Sequence, residues 1–171
     1  MKGAKTMKSV LISIHPKWCD LIASGEKTIE VCKTRPKIET PFRCYIYETK
    51  ARSDMPTFVD EDGHVLYTGR GQVIGEFVCD YVYENMSYDC EASCVSVSEL
   101  KKYANGKPLY GWHISDLKIY DKPRELSEFR ACNGNCNHCK HRVVNQNDVG
   151  DVRCENKVTR PPQSYMFVEE E

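Results

Sequence analysis

Charged and aromatic side chains that suit a nucleotide-sized ligand are concentrated in one short stretch of the chain, residues 17–35. Cations there can contact phosphate oxygens, a tryptophan can stack on a base, and a carboxylate can accept from an exocyclic amine or act as a general base. The candidate ligand-binding residues are Lys17, Trp18, Lys27, Thr28, Glu30, Lys33 and Arg35, with Trp112 as a second candidate for base stacking.

Lys27 and Glu30 are also the candidate catalytic residues if the protein is an enzyme. A lysine in a desolvated site can act as a nucleophile or as an electrostatic clamp, and a glutamate can take up a proton. The structural alternative is a solvated sheet face, which is the commonest place for a mixture of lysine and glutamate on a strand. Trp18 also has a packing alternative, because it forms one apolar helical face with Leu21 and Ile22.

Four cysteines form a second group with possible chemistry: Cys132-x3-Cys136-x2-Cys139, followed by Cys154. The two-residue spacing is the usual start of a tetrahedral zinc site, which takes four nitrogen or sulfur ligands. Residues 131–157 have almost no apolar content, so hydrophobic burial cannot fold them. We therefore predict a structural zinc ion bound by the four cysteines. A flexible cysteine-bearing loop and an iron–sulfur cluster are the alternatives.

The elements that position residues 17–35 follow from hydrophobic periodicity. Val10–Ile14 alternates as a strand, and Pro16 suits the first turn of a helix. Gly25 suits the left-handed position just past a helix end. Alternation resumes at 27–33. The predicted order is strand, short helix, glycine turn and strand, with the polar side chains clustered where the helix meets the second strand.

The rest of the chain is mostly a succession of short strands. The longest strand pattern covers Gln72–Glu84, where Gly75 indicates a bulge or a sharp bend. A capping box of Ser96 and Glu99 starts a helix that ends before Gly106. Further strands are predicted at residues 42–48, 111–120 and 164–168. Short strands with two or three helices fit a small β-barrel with helices at its mouth.

The segment Gly25–Cys32, GEKTIEVC, resembles the G-x-K-x-x-E-x-R motif of the ASCH domain, a branch of the PUA-like β-barrel superfamily. The upstream Ile14–Trp18 is similar to the approach to that motif in ASCH proteins of bacteria and their phages. Tyr110–Ile114 and Arg160–Tyr165 are similar to later segments of the same branch. The motif's last position, usually arginine, is Cys32 here, so a cleft cation is replaced by a neutral residue or by a reactive thiol.

The resemblance implies an α+β fold: a small mixed or antiparallel β-barrel formed by residues 8–130 and 158–169, with a cysteine-rich insertion at 131–157. It also implies a cleft between the first helix and the barrel that binds RNA, a nucleotide or a nucleoside. Some small members resemble amidohydrolases of acylated cytidine, pairing a lysine, matched by Lys27, with a threonine at the position of Glu30. A hydrolase acting on a modified nucleoside or on RNA is therefore the alternative function. A third hypothesis is a module that binds a protein partner through the zinc element.

Composition restricts the class of protein but does not identify a ligand. The 171 residues carry a formal net charge of -1, so an electrostatic footprint for nucleic acid has to be local. No apolar run approaches the ~20 residues of a membrane span. Val10–Ile14 is too short for the core of a signal peptide. We expect a cytoplasmic protein without a membrane partner, in which the ten cysteines favour metal binding over disulfides.

Overall fold

The structure is a computed structural model that describes residues 9–50, 58–59, 61–62, 65–67, 69–86, 91–131, 142–144, 152–154 and 156–170. Its helices are α1 (Pro16–Ala23) and α2 (Val97–Ala104), with a 3-10 turn at Leu126–Glu128. The strands are β1 (Ser9–Ile14), β2 (Ile29–Cys32), β3 (Phe42–Glu48), β4 (Phe58–Val59), β5 (Val65–Tyr67), β6 (Gln72–Cys79), β7 (Val82–Glu84), β8 (Tyr110–His113), β9 (Ser115–Arg124), β10 (Phe129–Ala131), β11 (Arg142–Val144), β12 (Val152–Cys154) and β13 (Tyr165–Glu170).

Two sheets contain most of the described strands, and β4-β5 and β11-β12 form two further two-stranded sheets. The larger has the order β10-β13-β1-β3-β6-β9, and the smaller has the order β2-β8-β7. β1 and β3 are parallel, whereas their other neighbours in the large sheet are antiparallel, so that sheet is mixed. The predicted α+β class is confirmed. The predicted closed barrel is not observed among the described strand pairings, which leave β10 and β9 as the two edges of the large sheet.

Two long strands predicted from the sequence are each divided between the sheets. The run from Gln72 to Glu84 is β6 in the large sheet and β7 in the small one. The predicted strand at 111–120 is likewise split at Ile114 into β8 and β9. The alternation of apolar and polar residues continues through both breaks and does not mark them. The backbone N–H of His113 donates to Tyr81 O at 2.9 Å, which ties the two crossings together.

The large sheet buries both of its faces. Along β1, Val10 and Ile12 belong to one core cluster and Leu11 belongs to another. The first cluster also contains the inward-facing residues Cys19 and Ile22 of α1. This packing holds α1 against the face of the sheet that carries Val10 and Ile12.

Local signals explain both ends of α1. The N–H groups of Trp18 and Cys19 donate to His15 O at 2.9 and 3.0 Å, and Pro16 occupies the first turn without an N–H to satisfy. The helix ends at Ser24, and Gly25 follows with φ +82°, a left-handed conformation that favours glycine. The predicted order of strand, helix, glycine turn and strand is confirmed.

α2 begins with the predicted capping box. Ser96 Oγ accepts from the Glu99 N–H at 3.3 Å, and the Ser96 N–H donates to Glu99 Oε2 at 3.0 Å. Asn105, with φ 46°, ends the helix in the left-handed region. Leu100 packs with Ile29 in a third core cluster, which places α2 beside β2.

Gly75 lies where β9 approaches β6 closely. A side chain at this position would place its Cβ 2.5 Å from Lys118 O. The pairing of β6 with β9 shifts register between Val73 and Gly75. The bulge predicted from this glycine is therefore confirmed.

The chain leaves the large sheet after β10 and returns close to the same place. Ala131 N–H donates to Asn156 O at 2.7 Å, and Val158 N–H donates to Phe129 O at 2.9 Å. Between these points, β11 and β12 form an antiparallel pair. No helix in the described ranges is long and apolar enough to cross a membrane.

Candidate ligand-binding cleft

Lys27 is a buried cation with two oxygen partners. Its side chain is 2% exposed, and Nζ donates to Ser93 O at 2.6 Å. The same Nζ lies 3.4 Å from Glu30 Oε2. The backbone N–H of Lys27 donates to Leu21 O at 2.9 Å, which fixes the lysine just after the glycine turn. A buried ammonium group requires such partners, because its loss of hydration would otherwise be very costly.

Glu30 is the carboxylate that faces Lys27. Its side chain is 12% exposed, and Oε2 is fully buried without a hydrogen bond among the described residues. Its contact with Lys27 Nζ, at 3.4 Å, is an ion pair. Burial raises the pKa of Glu30, and the positive charge of Lys27 opposes that rise. The ion pair with Lys27 is therefore the contact that compensates the buried carboxylate.

The Trp18 ring is in contact with two lysines. Lys17 Nζ lies 4.6 Å and Lys27 Nζ 5.0 Å from the ring centroid, both within the range of cation–π attraction. The ring is half-buried and packs against the first core cluster. Trp18 thus has the packing role considered from the sequence, and its ring also lies beside two cations.

Tyr103, on α2, is an aromatic residue beside Lys33 that the sequence analysis did not identify. It is 44% exposed, and Lys33 Nζ lies 4.4 Å from its ring centroid. Partial burial, together with the charges of Cys32 and Glu30, raises the pKa of Tyr103 to about 12. A signal was available, because Tyr103 lies three residues after the buried Leu100 and therefore shares its side of the helix.

Lys17, Trp18, Lys27 and Glu30 lie together around α1, the following turn and β2, and Lys33 contacts the ring of Tyr103 on α2. Two other predicted ligand-binding residues have different surroundings. Arg35 Nη1 donates to Glu84 Oε1 at 2.7 Å in an exposed ion pair. The Thr28 N–H donates to Ala92 O at 2.9 Å, which fixes the backbone at the start of β2.

Trp112 is a core residue in this structure. Its ring is fully buried and packs edge-on against Phe42, with 5.4 Å between centroids. Its Nε1 donates to Thr34 O at 3.3 Å. Packing therefore accounts for Trp112, whereas the rings of Trp18 and Tyr103 are partly exposed and lie beside lysines.

Cys32 does not act as a substitute for the missing motif arginine. It is buried, and burial followed by the charge of Glu30 raises its thiol pKa well above the ordinary value. A thiol of this kind is a poor nucleophile at neutral pH. The structure favours a small neutral replacement. Cys19, Cys44 and Cys79 are also buried with raised pKa values, as expected for packing residues.

The predicted zinc ligands Cys132, Cys136 and Cys139 lie outside the described residues. Cys154 lies in β12, where its backbone is paired with Arg142, and its side chain is also outside the description. Among the side chains that the structure does describe, no group of three or more His, Cys, Asp and Glu is arranged to hold a metal ion. Zinc binding by the four cysteines stays a prediction.

Comparison with known proteins gives matches among solved structures. No family model matches the chain, and no curated protein matches it. The crystal structure of ASCH from Zymomonas mobilis has a TM-score of 0.57 and 18% identity, covering 95% of this chain and 88% of that chain. Two single-residue variants of the same protein have TM-scores of 0.58 and 0.57, at 18% and 16% identity, and cover 95% of this chain and 91% and 89% of theirs. The similarity lies in the fold.

Proposed function

We propose that this chain, which has the fold of an ASCH protein, binds RNA or a nucleotide in the cleft formed by α1, β2 and α2. One observation carries the proposal: Lys17 and Lys27 both lie against the ring of Trp18, and Lys27 also pairs with the buried carboxylate of Glu30. A nucleotide combines a flat ring, an edge of hydrogen-bonding groups and an anion. This cluster offers a partner for each of the three.

The aromatic partner is Trp18. Stacking of a base on an aromatic side chain contributes about 1–3 kcal/mol. Lys17 is an exposed residue with a flexible side chain, so it can leave the ring when a base arrives and contact the phosphate instead. Lys27 is buried and fixed by Ser93 O, so it holds the carboxylate in place rather than following the ligand.

The charge balance predicts weak, salt-dependent binding. Because the net charge is -1, attraction comes from the few cations near the cleft rather than from the whole surface. For single strands, the logarithm of the affinity falls with the logarithm of salt concentration by about 0.7 for each phosphate neutralised. Contacts from Lys17 and Lys33 would therefore give a slope of roughly -1.4.

The test is fluorescence anisotropy with a labelled single-stranded RNA pentanucleotide of mixed sequence, titrated at several salt concentrations. Lys17→Ala should weaken binding several-fold and make the salt slope shallower by about 0.7. Lys118→Ala is the matched control, because Lys118 Nζ also lies near an aromatic ring, 5.9 Å from Tyr120, but on β9. Absence of affinity at low salt, or equal losses in the two variants, would contradict the proposal.

A further inference from the structure

A cavity of about 340 Å³ opens at the C-terminal end of α2. It is lined by the second half of α2, by residues 106–109 and by Asn85, which follows β7. Neither Lys27 nor Glu30 lines it, so it is separate from the cluster described above. Its volume lies near the lower end of the range for small-molecule sites, roughly 300–1,000 Å³.

The walls of this cavity are largely apolar. Leu100 and Leu109 are 1% and 3% exposed and belong to the same core cluster as Ile29, so the base of the cavity is part of the packed interior. Ala104 packs against that cluster from the side of α2. Gly106 leaves further room, because a Cβ built on it meets nothing within 4 Å. An apolar group seated here would remove these walls from water, which is favourable.

The polar side chains that line the cavity are Asn85, Lys101 and Lys107. All three residues are exposed, and within the described part of the chain their side chains make no hydrogen bond or ion pair. No carboxylate is among the lining residues. Two positive charges without a nearby acidic partner in the cavity attract an anion, and the Asn85 amide can donate to it.

Apolar walls beside two ammonium groups match an anion that carries an apolar body. A carboxylate offers two oxygens, enough to accept from both lysines at once. Apart from Asn85, the whole lining comes from residues 100–109, and no residue of a strand contributes to it. The cavity therefore offers no strand edge with which an extended peptide could pair, and a small molecule fits it better.

We propose that this cavity binds a small carboxylate with an aromatic or aliphatic body. The body lies against Leu100 and Leu109, and the carboxylate lies beside Lys101 and Lys107. This inference goes beyond the proposed function, because none of these residues is assigned to the nucleotide.

The first experiment compares two probes that differ in charge, 4-phenylbutyrate and 4-phenylbutanol. Each is titrated into the ¹⁵N-labelled full chain, and the amide shifts are followed by NMR. Both should shift the amides of Gly106, Lys107 and Leu109 in a saturable way. The carboxylate should bind roughly fivefold more tightly than the alcohol, as for two exposed ion pairs of a few tenths of a kcal/mol each.

The second experiment changes the lining. The double variant Lys101→Ala and Lys107→Ala should bind both probes with the affinity of 4-phenylbutanol for the original protein. Lys102→Ala is the matched control, because Lys102 is the next residue of α2 and is also exposed but does not line the cavity. Ala104→Leu adds a side chain at the wall and should weaken both probes. Thermal unfolding checks that each variant folds.

The outcomes test the apolar and the charged parts separately. Equal affinity for the two probes, or equal losses in the double variant and in Lys102→Ala, would overturn the assignment of an anion. Shifts that do not saturate at Gly106 and Leu109 would overturn the site itself. A capped acidic tripeptide with a central phenylalanine that binds more than tenfold more tightly than 4-phenylbutyrate would indicate a protein partner and overturn the choice of a small molecule.

The result is independent of the proposed function. If the RNA pentanucleotide binds and 4-phenylbutyrate does not, this inference alone fails. If 4-phenylbutyrate binds at the cavity and the pentanucleotide does not bind, the inference holds and the proposed function fails.

Discussion

Replacement of Lys27 by methionine removes the charge that faces Glu30 while keeping most of the buried stem. The lysine side chain is 2% exposed and that of Glu30 is 12% exposed, so water screens their interaction little. Removing one partner of a buried ion pair costs about 3–5 kcal/mol, because the other charge is left without compensation. Ser93 O also loses a donor at 2.6 Å. We therefore expect Lys27→Met to lower the free energy of unfolding by several kcal/mol at pH 8.

The loss should shrink at lower pH, and the sign follows from Glu30. Burial already raises the pKa of Glu30 above its ordinary value, and removal of the lysine charge raises it further. The folded variant then binds a proton more readily than the unfolded chain does. Its stability is greatest below the unfolded pKa, about 4.3, and falls by up to about 1.4 kcal/mol per pH unit as pH rises toward the folded pKa. The free energy of unfolding of Lys27→Met should therefore be closer to that of the original protein at pH 5.5 than at pH 8.

Urea unfolding followed by the fluorescence of Trp18 and Trp112 measures this at both pH values. Adding Glu30→Gln to Lys27→Met should recover part of the loss at pH 8, because the double variant buries no unpaired charge. Lys33→Met is the control, since that lysine is exposed and should change stability by no more than about 0.5 kcal/mol. A Lys27→Met protein as stable as the original at pH 8, or a double variant no more stable than Lys27→Met, would refute the assigned pairing.

Two further predictions concern catalysis and metal. N4-acetylcytidine should be hydrolysed slowly or not at all, because both partners of Lys27 Nζ are oxygen acceptors that hold the lysine as a hydrogen-bond donor. Rapid product formation that Lys27→Met abolishes would show instead that the protein is a hydrolase. Elemental analysis should find about one zinc per chain, lowered by Cys136→Ser without loss of the cooperative unfolding of the sheets; metal-free protein in which all four cysteines react freely would exclude the site.

Signals within a few residues of one another gave correct predictions of local structure. Pro16 and Gly25 delimit α1, and the pair Ser96 and Glu99 starts α2, because each signal acts within a single helical turn. Gly75 was equally informative, since close approach of β9 leaves no room for a side chain. The helix ends depend on residues nearby in the chain, and the bulge at Gly75 depends on the absence of a side chain, so each can be read from a short stretch of sequence.

Contacts between distant parts of the chain were not predictable in the same way. Lys27 donates to Ser93, 66 positions later, and no local pattern links the two. The alternation of polar and apolar residues also gave no sign that β8 and β9 belong to different sheets, since both are extended. Trp112 has the residue type expected of a stacking platform, yet its fully buried position depends on Phe42 and Thr34, which lie far away in sequence.

The paired backbone at the base of the cysteine-rich segment bears on how much the length of that segment can change. Ala131 and Asn156 are joined at 2.7 Å, and Val158 is joined to Phe129 at 2.9 Å, so the two chain ends are clasped at the margin of the large sheet. Closing a flexible loop costs only about 0.6 kcal/mol more for each doubling of its length. Segments of very different length can therefore be joined at this clasp at little extra closure cost, which makes it a suitable place for inserting a foreign module.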